Sequence, residues 1–158
     1  MIIGVMSDSH GDYQAIEKAV HKIGNVDLWL HAGDCCKDAA FLKTLSGIET
    51  IAVAGNCDWP NPKAELDEFI EVAGIKLWLT HGHRYEVKLN TELLVGSAKQ
   101  HAVNVVVYGH THILENKHYG DILVLNPGSV ARPYFGAPSC MKLRIEKQEV
   151  TVEVLFLT

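Results

Sequence analysis

The sequence predicts an α/β fold of two packed sheets with helices outside, and three observations carry that expectation. Short apolar strands alternate with helical segments over residues 1–54, in the manner of βαβ units. After residue 112 the chain changes to strand-like runs separated by tight turns. The inferred strand ends repeatedly deliver glycine beside Asp, Asn or His. The 158 residues form one ordinary domain, 1–158, with no internal repeat, linker or low-complexity stretch.

Met1–Met6 is apolar on both faces, as a buried parallel strand is. From Tyr13 the apolar positions Tyr13, Ile16, Val20 and Ile23 make one helical stripe, with Asp12 as N-cap and Gly24 as stop. Asp27–Ala32 is the next strand, and the unit so formed is right-handed by the general rule. Asp38–Leu45 reads as a short helix and Glu49–Ala54 as a third strand. Pro60 and Pro62 make Trp59–Lys63 a loop. Phe69–Val72 and Ile75–Thr80 form a hairpin about Ala73-Gly74, followed by a helix over Asn90–Ala102 and a strand over Val103–Tyr108. Asn116–Tyr119, Ile122–Leu125, Met141–Ile145 and Val150–Leu157 are the tail strands. Their turns fall at Gly120-Asp121, Asn126-Pro127-Gly128 and Lys147-Gln148.

Composition narrows the function. Hydrophobic residues are 47% and charged residues 21%, which excludes disorder. A net charge of −5, without any Lys/Arg run, argues against a partner as long and anionic as nucleic acid. The N-terminus has no basic n-region and the longest apolar runs are far too short to span a bilayer, so the expectation is a cytoplasmic protein without a membrane partner. Cys35, Cys36, Cys57 and Cys140 are expected to be reduced thiols, since adjacent cysteines suit a bridge poorly. Nine histidines against fourteen Lys and Arg direct attention to metal chemistry.

The strand ends answer where those histidines sit. They carry, in order, Asp8-x-His10, Gly33-Asp34, Gly55-Asn56, His81 and Gly109-His110-Thr111-His112. The carboxyl ends of parallel strands form the functional rim of an open α/β sheet. Residues i and i+2 of an extended segment point the same way, so Asp8 with His10, and His110 with His112, are expected to approach one ion from one side. The neighbouring glycines let the backbone come close. A single DxH or HxH is weak; the ordered recurrence is not.

DSH at 8–10, GDC at 33–35, GNCD at 55–58, HGH at 81–83 and GHTH at 109–112 resemble the calcineurin-like metallophosphoesterase superfamily. NPGS at 126–129 is similar to its small single-domain bacterial and archaeal phosphodiesterase branch. The resemblance implies a four-layer αββα sandwich with two packed mixed sheets and a dinuclear metal site at the strand ends. It implies that Asp8, His10 and His112 hold one ion, that Asn56, His81 and His110 hold the other, and that Asp34 bridges them. It further implies a phosphodiesterase that hydrolyses phosphate esters by in-line attack of a metal-bridging hydroxide, with ions roughly 3.5–4 Å apart. Two divalent transition ions are expected, manganese first, with nickel, iron, zinc or cobalt also suited to such mixed ligands. Two ions, two carboxylates and one hydroxide leave a net charge of about +1, which attracts a small phosphodiester despite the charge of the chain.

One departure stands out. The third position of the GNxD motif often holds a histidine that protonates the leaving group, and here it holds Cys57. A thiol is a poor general acid, and Cys57 is read as a small filler, as the small branch often has it. Cys35 and Cys36 are read as buried, and His31 as packing or orienting a ligand. Three residues are assigned to substrate against plainer readings: Trp59 against loop packing, His83 against simple exposure and Arg132 against a solvated surface cation. His21, His101 and His118 are ordinary histidines away from the rim. The contrasting function is a non-catalytic metal-binding scaffold, as in the similar retromer subunit, which loss of ligands would mark; here every ligand position holds a competent side chain. A homo-oligomer is compatible with either reading.

Overall fold

Strand β1 (Ile2–Met6) lies at the centre of a five-stranded sheet, because its residues are apolar on both faces. The structure, a computed structural model, describes residues 1–60 and 62–158. The chain continues through α1 (Tyr13–Ile23), β2 (Leu28–His31), α2 (Asp38–Ser46) and β3 (Thr50–Ala52). A hairpin β4 (Asp67–Val72) and β5 (Ile75–Thr80) precedes α3 (Glu92–Gln100), β6 (Val105–Val107), β7 (Leu114–Tyr119) and β8 (Ile122–Pro127). A last hairpin, β9 (Ser139–Glu146) and β10 (Glu149–Phe156), completes the described elements. Of the expected proline loop, residue 61 lies outside the described residues.

The strands form two mixed sheets, β10-β9-β1-β2-β3 and β4-β5-β6-β8-β7. Three apolar clusters divide the molecule into four layers. Ile3, Val5, Leu30, Leu77, Leu79, Val107, Leu125 and Leu143 fill the space between the sheets. Met6, Trp29 and Cys140 face α1 and α2 on one outer side. Trp78, Val106 and Val124 face α3 on the other. Each central strand therefore sends alternate residues to two different cores. This is the αββα sandwich that the resemblance implies. No helix among the described residues is long and apolar enough to cross a membrane.

Helix α1 ends as its sequence predicts. Asp12 accepts from the Ala15 amide at 3.0 Å, and Gly24, at φ 72°, returns its N–H to Val20. Helix α3 is shorter than the predicted Asn90–Ala102. The Asn90 carboxamide accepts from the Glu92 amide at 3.0 Å and so caps from outside, while Ala102 turns left-handed at φ 52°.

The tail is distributed differently from its local pattern. Hairpin β9–β10 crosses to the first sheet, where β9 runs antiparallel to β1. Strand β8 stays in the second sheet and is parallel to β6. The predicted turn at Asn126-Pro127-Gly128 is only partly a turn: Asn126 and Pro127 close β8, and the reversal starts at Gly128, φ 74°. Asn126 is buried and has hydrogen-bonding work that a turn would not give it.

Gly4 pairs with Trp29 across β1 and β2, and a Cβ at Gly4 would overlap the Trp29 indole. Trp29 is fully buried, so it has nowhere to move. Gly4→Ala is expected to destabilise the fold by about 1–3 kcal/mol through overpacking. Equilibrium denaturation of wild type and variant measures it; equal midpoints would mean that the ring can shift freely.

Candidate metal centre

Five strand ends, from both sheets, bring the predicted residues together. Asp8 and His10 follow β1, Asp34 follows β2 and Asn56 follows β3. His81 follows β5, and His110 and His112 follow β6. The donor atoms of Asp8, His10 and His112 lie within 4.8 Å of one another, as do those of Asp34, His81 and His110. Asp34 also lies within that distance of His10 and Cys57. The means of convergence differs from the expected extended geometry. Asp8, His10, Asp34, His110 and His112 all have positive φ, between 43° and 69°. Left-handed residues curl the chain around the cluster, a conformation costly for a side chain and typical of functional sites.

Two glycines matter because they lack a Cβ. A methyl group at Gly55 would overlap Asp34 Oδ1, and one at Gly109 would overlap Ser7 Oγ and crowd Asp8 Oδ2 at 2.6 Å. Each carboxylate is thus seated against bare backbone.

The carboxylates are half anchored and half free. Asp8 Oδ2 accepts from Ser7 Oγ at 2.5 Å and from the His110 amide at 3.1 Å. Its Oδ1 is buried and makes no hydrogen bond, although His112, His81 and His10 place their Nε2 atoms 3.1, 3.9 and 4.0 Å away. Asp34 Oδ1 accepts from the Cys57 amide at 2.9 Å, and its Oδ2 lies 3.3 Å from His81 Nε2. Burial opposes the charge of Asp34, but the His81 hydrogen bond and the Cys57 amide hold its carboxyl well below the usual range.

The imidazoles are oriented from behind. His81 Nδ1 donates to the Ala32 carbonyl at 2.7 Å, and His112 Nδ1 donates to the Arg132 carbonyl at 2.6 Å. In the neutral tautomer each then directs the lone pair of Nε2 at the cluster. His81 Nε2 faces Asn56 Oδ1 at 3.1 Å, and His112 Nε2 faces His10 Nε2 at 3.3 Å. Burial works against charge on His81, but Asp34 and Asp8 outweigh it and raise its pKa. For His110, burial, His81 and Lys88 together push the pKa down to about 4. Electron pairs aimed at electron pairs, with one carboxylate oxygen left bare, fit divalent cations: imidazole, carboxylate and carboxamide suit transition ions.

A second layer, largely invisible to motif reading, sets these donors. Buried His31 accepts from the Gly33 amide at Nδ1 and meets Ser9 Oγ at 2.8 Å through Nε2. Ser9 Oγ donates to Asp38 Oδ2 at 2.7 Å, and that oxygen also accepts from the Gly11 amide. His31 is thus an orienting residue, as its position suggests. Asp58 accepts from the Cys36 and Gly55 amides, both at 2.7 Å, and ties the two acidic loops together. Asn126 donates to the Gly109 carbonyl and Thr111 Oγ1, both at 3.0 Å, while Ser129 donates to the Asp8 carbonyl at 2.8 Å. Asn126 and Ser129 stand in the NPGS motif, which does not reveal their bonds, and Asp38 shows in the sequence just as a polar residue beside an apolar run.

The remaining predictions fare unevenly. Cys57 is exposed beside His10 and Asp34, not a filler, because the turn Asn56–Asp58 carries it into the site. Desolvation and then the Asp34 carboxylate push its thiol up to about 11. It accepts from Asn56 Nδ2 at 3.6 Å, which leaves Asn56 Oδ1 turned toward His81. Cys36 is buried as expected, but Cys35 is only half-buried. His83 faces His81 and His110 with ring centroids 5.4 and 6.1 Å away. Trp59 is 73% exposed. Arg132 is exposed, but its carbonyl holds His112 and its charge depresses His10 after burial and the flanking groups have acted.

The calcineurin-like phosphoesterase superfamily domain matches residues 1–148, and the chain belongs to that family of metallophosphoesterases. It is 38% identical to a probable metallophosphoesterase of Methanocaldococcus jannaschii over 151 residues, covering 92% of this chain and 77% of that protein. A phosphodiesterase of the same organism is 32% identical over 172 aligned positions, covering 98% of this chain and 99% of the relative. The crystal structure of a predicted phosphoesterase from Streptococcus pneumoniae superposes with a TM-score of 0.83 at 29% identity, covering 99% of this chain and 89% of the other.

Asn126→Ala leaves the His110–His112 turn without its internal donor. Metal affinity is expected to fall about 10–100-fold, as for other groups that orient ligands. Chelator-competition titration measures it, and unchanged affinity would show the turn to be rigid without Asn126.

Proposed function

We propose that the chain is a phosphodiesterase with two divalent transition ions, one held by Asp8, His10 and His112 and the other by Asn56, His81 and His110. Asp34 bridges them. The observation that carries this reading is the sharing of Asp34 between donor groups on both of its sides. Manganese is the first choice of metal among several that the donors suit. When bound, the ions supply Lewis acidity toward phosphoryl oxygens and make a water nucleophile accessible near neutral pH.

The chain's own residues perform the rest. Ser7 and the His110 amide fix Asp8, and the Cys57 amide fixes Asp34, so neither carboxylate rotates when charge develops nearby. Arg132 and His83 stand beside the donors and contact the substrate phosphate or its ester group; Trp59 forms an exposed outer edge. The relative named a phosphodiesterase supports a diester over a monoester substrate. The complete donor set weighs against a non-catalytic scaffold, since a scaffold has no need of so many orienting bonds.

Elemental analysis is expected to find nearly two ions per chain, and excess chelator is expected to abolish hydrolysis of bis(p-nitrophenyl) phosphate. Asp34→Ala is expected to lose both ions and Asp8→Ala chiefly one. Equal single-ion loss in the two variants would remove the bridge, and full activity in chelator would remove the whole reading.

Cys57 gives a second test. With its thiol pushed up to about 11, it is a weak proton donor near neutral pH. Rates are therefore expected to fall steeply as leaving-group pKa rises. Cys57→His is expected to help basic leaving groups most, by up to about 10²-fold, the low end for a positioned acid. A flat dependence in the wild type, or equal slopes in both proteins, would show that another group supplies the proton.

A further inference from the structure

Beside the His110–His112 turn lies a cavity of about 780 Å³, within the size range of small-molecule sites. His110 and His112 form one of its walls, so an occupant bonded to phosphorus would reach into it from the metal centre. Val87, Ile113, Tyr119 and Tyr134 make the other walls mostly apolar and aromatic. Two charged side chains, Lys88 and Glu115, and the neutral polar Asn90, Thr91 and Thr111 interrupt them.

The two charges are placed differently. Lys88 supplies the one ammonium in the lining that it shares with His110 and His112, so it is the group there that attracts an anionic phosphate. Glu115 is fixed by two phenols: Tyr119 donates to Oε1 at 2.7 Å, and the buried Tyr108 donates to Oε2. Its backbone pairs with Asn126, the residue that holds the His110 turn, so its distance from the metal centre is set by the sheet. An ionised carboxylate only accepts hydrogen bonds, and the two phenols leave part of its capacity free. It repels a second phosphate and welcomes a neutral group rich in N–H and O–H donors.

The mouth adds a stacking surface. The Tyr134 amide donates to the His112 carbonyl at 3.0 Å, so this loop is tied to the metal centre. Yet Tyr134 and Phe135 are 69% and 72% exposed, an arrangement that leaves aromatic faces ready for a flat partner.

We propose that this cavity binds the nucleoside arm of a phosphodiester, with Glu115 accepting from sugar or base donors, Lys88 facing a non-bridging phosphate oxygen and Tyr134 stacking on the base. The assignment rests on the phosphodiesterase reading above and adds a substrate class to it. In the hydrolysis, the oxygen of water bonds to phosphorus while one P–O ester bond breaks. The departing oxygen keeps the bonding pair and takes a proton, giving a nucleoside monophosphate and an alcohol.

Three diesters with one leaving group separate the arms: thymidine 5′-(p-nitrophenyl phosphate), bis(p-nitrophenyl) phosphate and p-nitrophenylphosphorylcholine, each with manganese-loaded protein. The thymidine ester is expected to have the lowest KM. Glu115→Gln, which keeps one phenol as donor to its carbonyl oxygen and lets its NH2 donate to the other phenol oxygen, is expected to lower the thymidine-to-aryl ratio of kcat/KM about 10–100-fold, the value of one hydrogen bond to a charged group. Tyr134→Ala, at an exposed position, is expected to lower it through KM without disturbing the fold. Preference for the choline or aryl ester, or a ratio unmoved by both variants, would overturn the proposal. Calorimetric binding of thymidine 5′-monophosphate gives a readout free of catalysis. If none of the diesters is cleaved but the monophosphate binds in a Glu115-dependent way, the activity is wrong and the subsite stands. If wild type and Glu115→Gln bind the monophosphate equally, or neither binds it, the subsite is wrong.

Discussion

An excess of acceptors over donors, gathered where five strand ends meet, is the condition that the rest of this molecule serves. His81 and His112 give their Nδ1 protons to backbone carbonyls and turn their remaining lone pairs inward. Those pairs meet Asp34, Asn56 and Asp8, whose Oδ1 has no hydrogen bond. Such a cluster repels itself in a medium of low dielectric, and a single proton relieves only part of the repulsion. Divalent cations held by these donors would relieve the rest. The family to which the chain belongs is one of metallophosphoesterases, and cations completing the cluster would attract and polarise a phosphate ester.

Holding that arrangement requires stiffness from several directions. Five of the donor residues stand in left-handed conformations, each at a cost of about 1–3 kcal/mol when the residue is not glycine. The surrounding bonds over-determine them. Asn126 and Ser129, at the end of β8 and just beyond, grip the two histidine-bearing or acidic turns from below. Asp38 and Asp58 do the same from the side of α2 and the Asn56 turn. Because the donors come from both sheets, the apolar core between those sheets also sets the separation of the two halves of the site. Sheet packing therefore sets the spacing of the donors, and ions bound there would contribute to folding stability.

The cleft follows the same logic on one flank. Glu115 and Asn126 face each other across β7 and β8, so a residue that supports the metal centre and a residue that lines the cavity share one register. The support of the His110 turn and the placing of Glu115 in the cavity then depend on a single pair of strands. The Tyr108 and Tyr119 phenols hold the Glu115 carboxylate in place within that lining.

Periodicity and motif spacing determined much of this protein unaided. The first strands and helices, the caps at Asp12 and Gly24, the two-sheet architecture and the gathering of seven polar residues at the strand ends could all be read along the chain, because each depends on local patterning or on an ordered set of strand ends. Tertiary structure alone decided the rest. Nothing local told β9 and β10 to leave their neighbours and pair with β1; that choice depends on which sheet edge needs an apolar strand. Asn126 looked like part of a turn because Asn-Pro-Gly favours one, and burial against Gly109 and Thr111 made it the end of a strand instead. Cys57 looked like a filler because cysteine is small and apolar, and a short helical turn placed it, exposed, beside His10 and Asp34. The cavity walls come from the β5–α3 connection, from the β6–β8 segment and from the loop before β9, segments that share no motif. Proximity among them is a property of packing, and no spacing rule along a single chain records it.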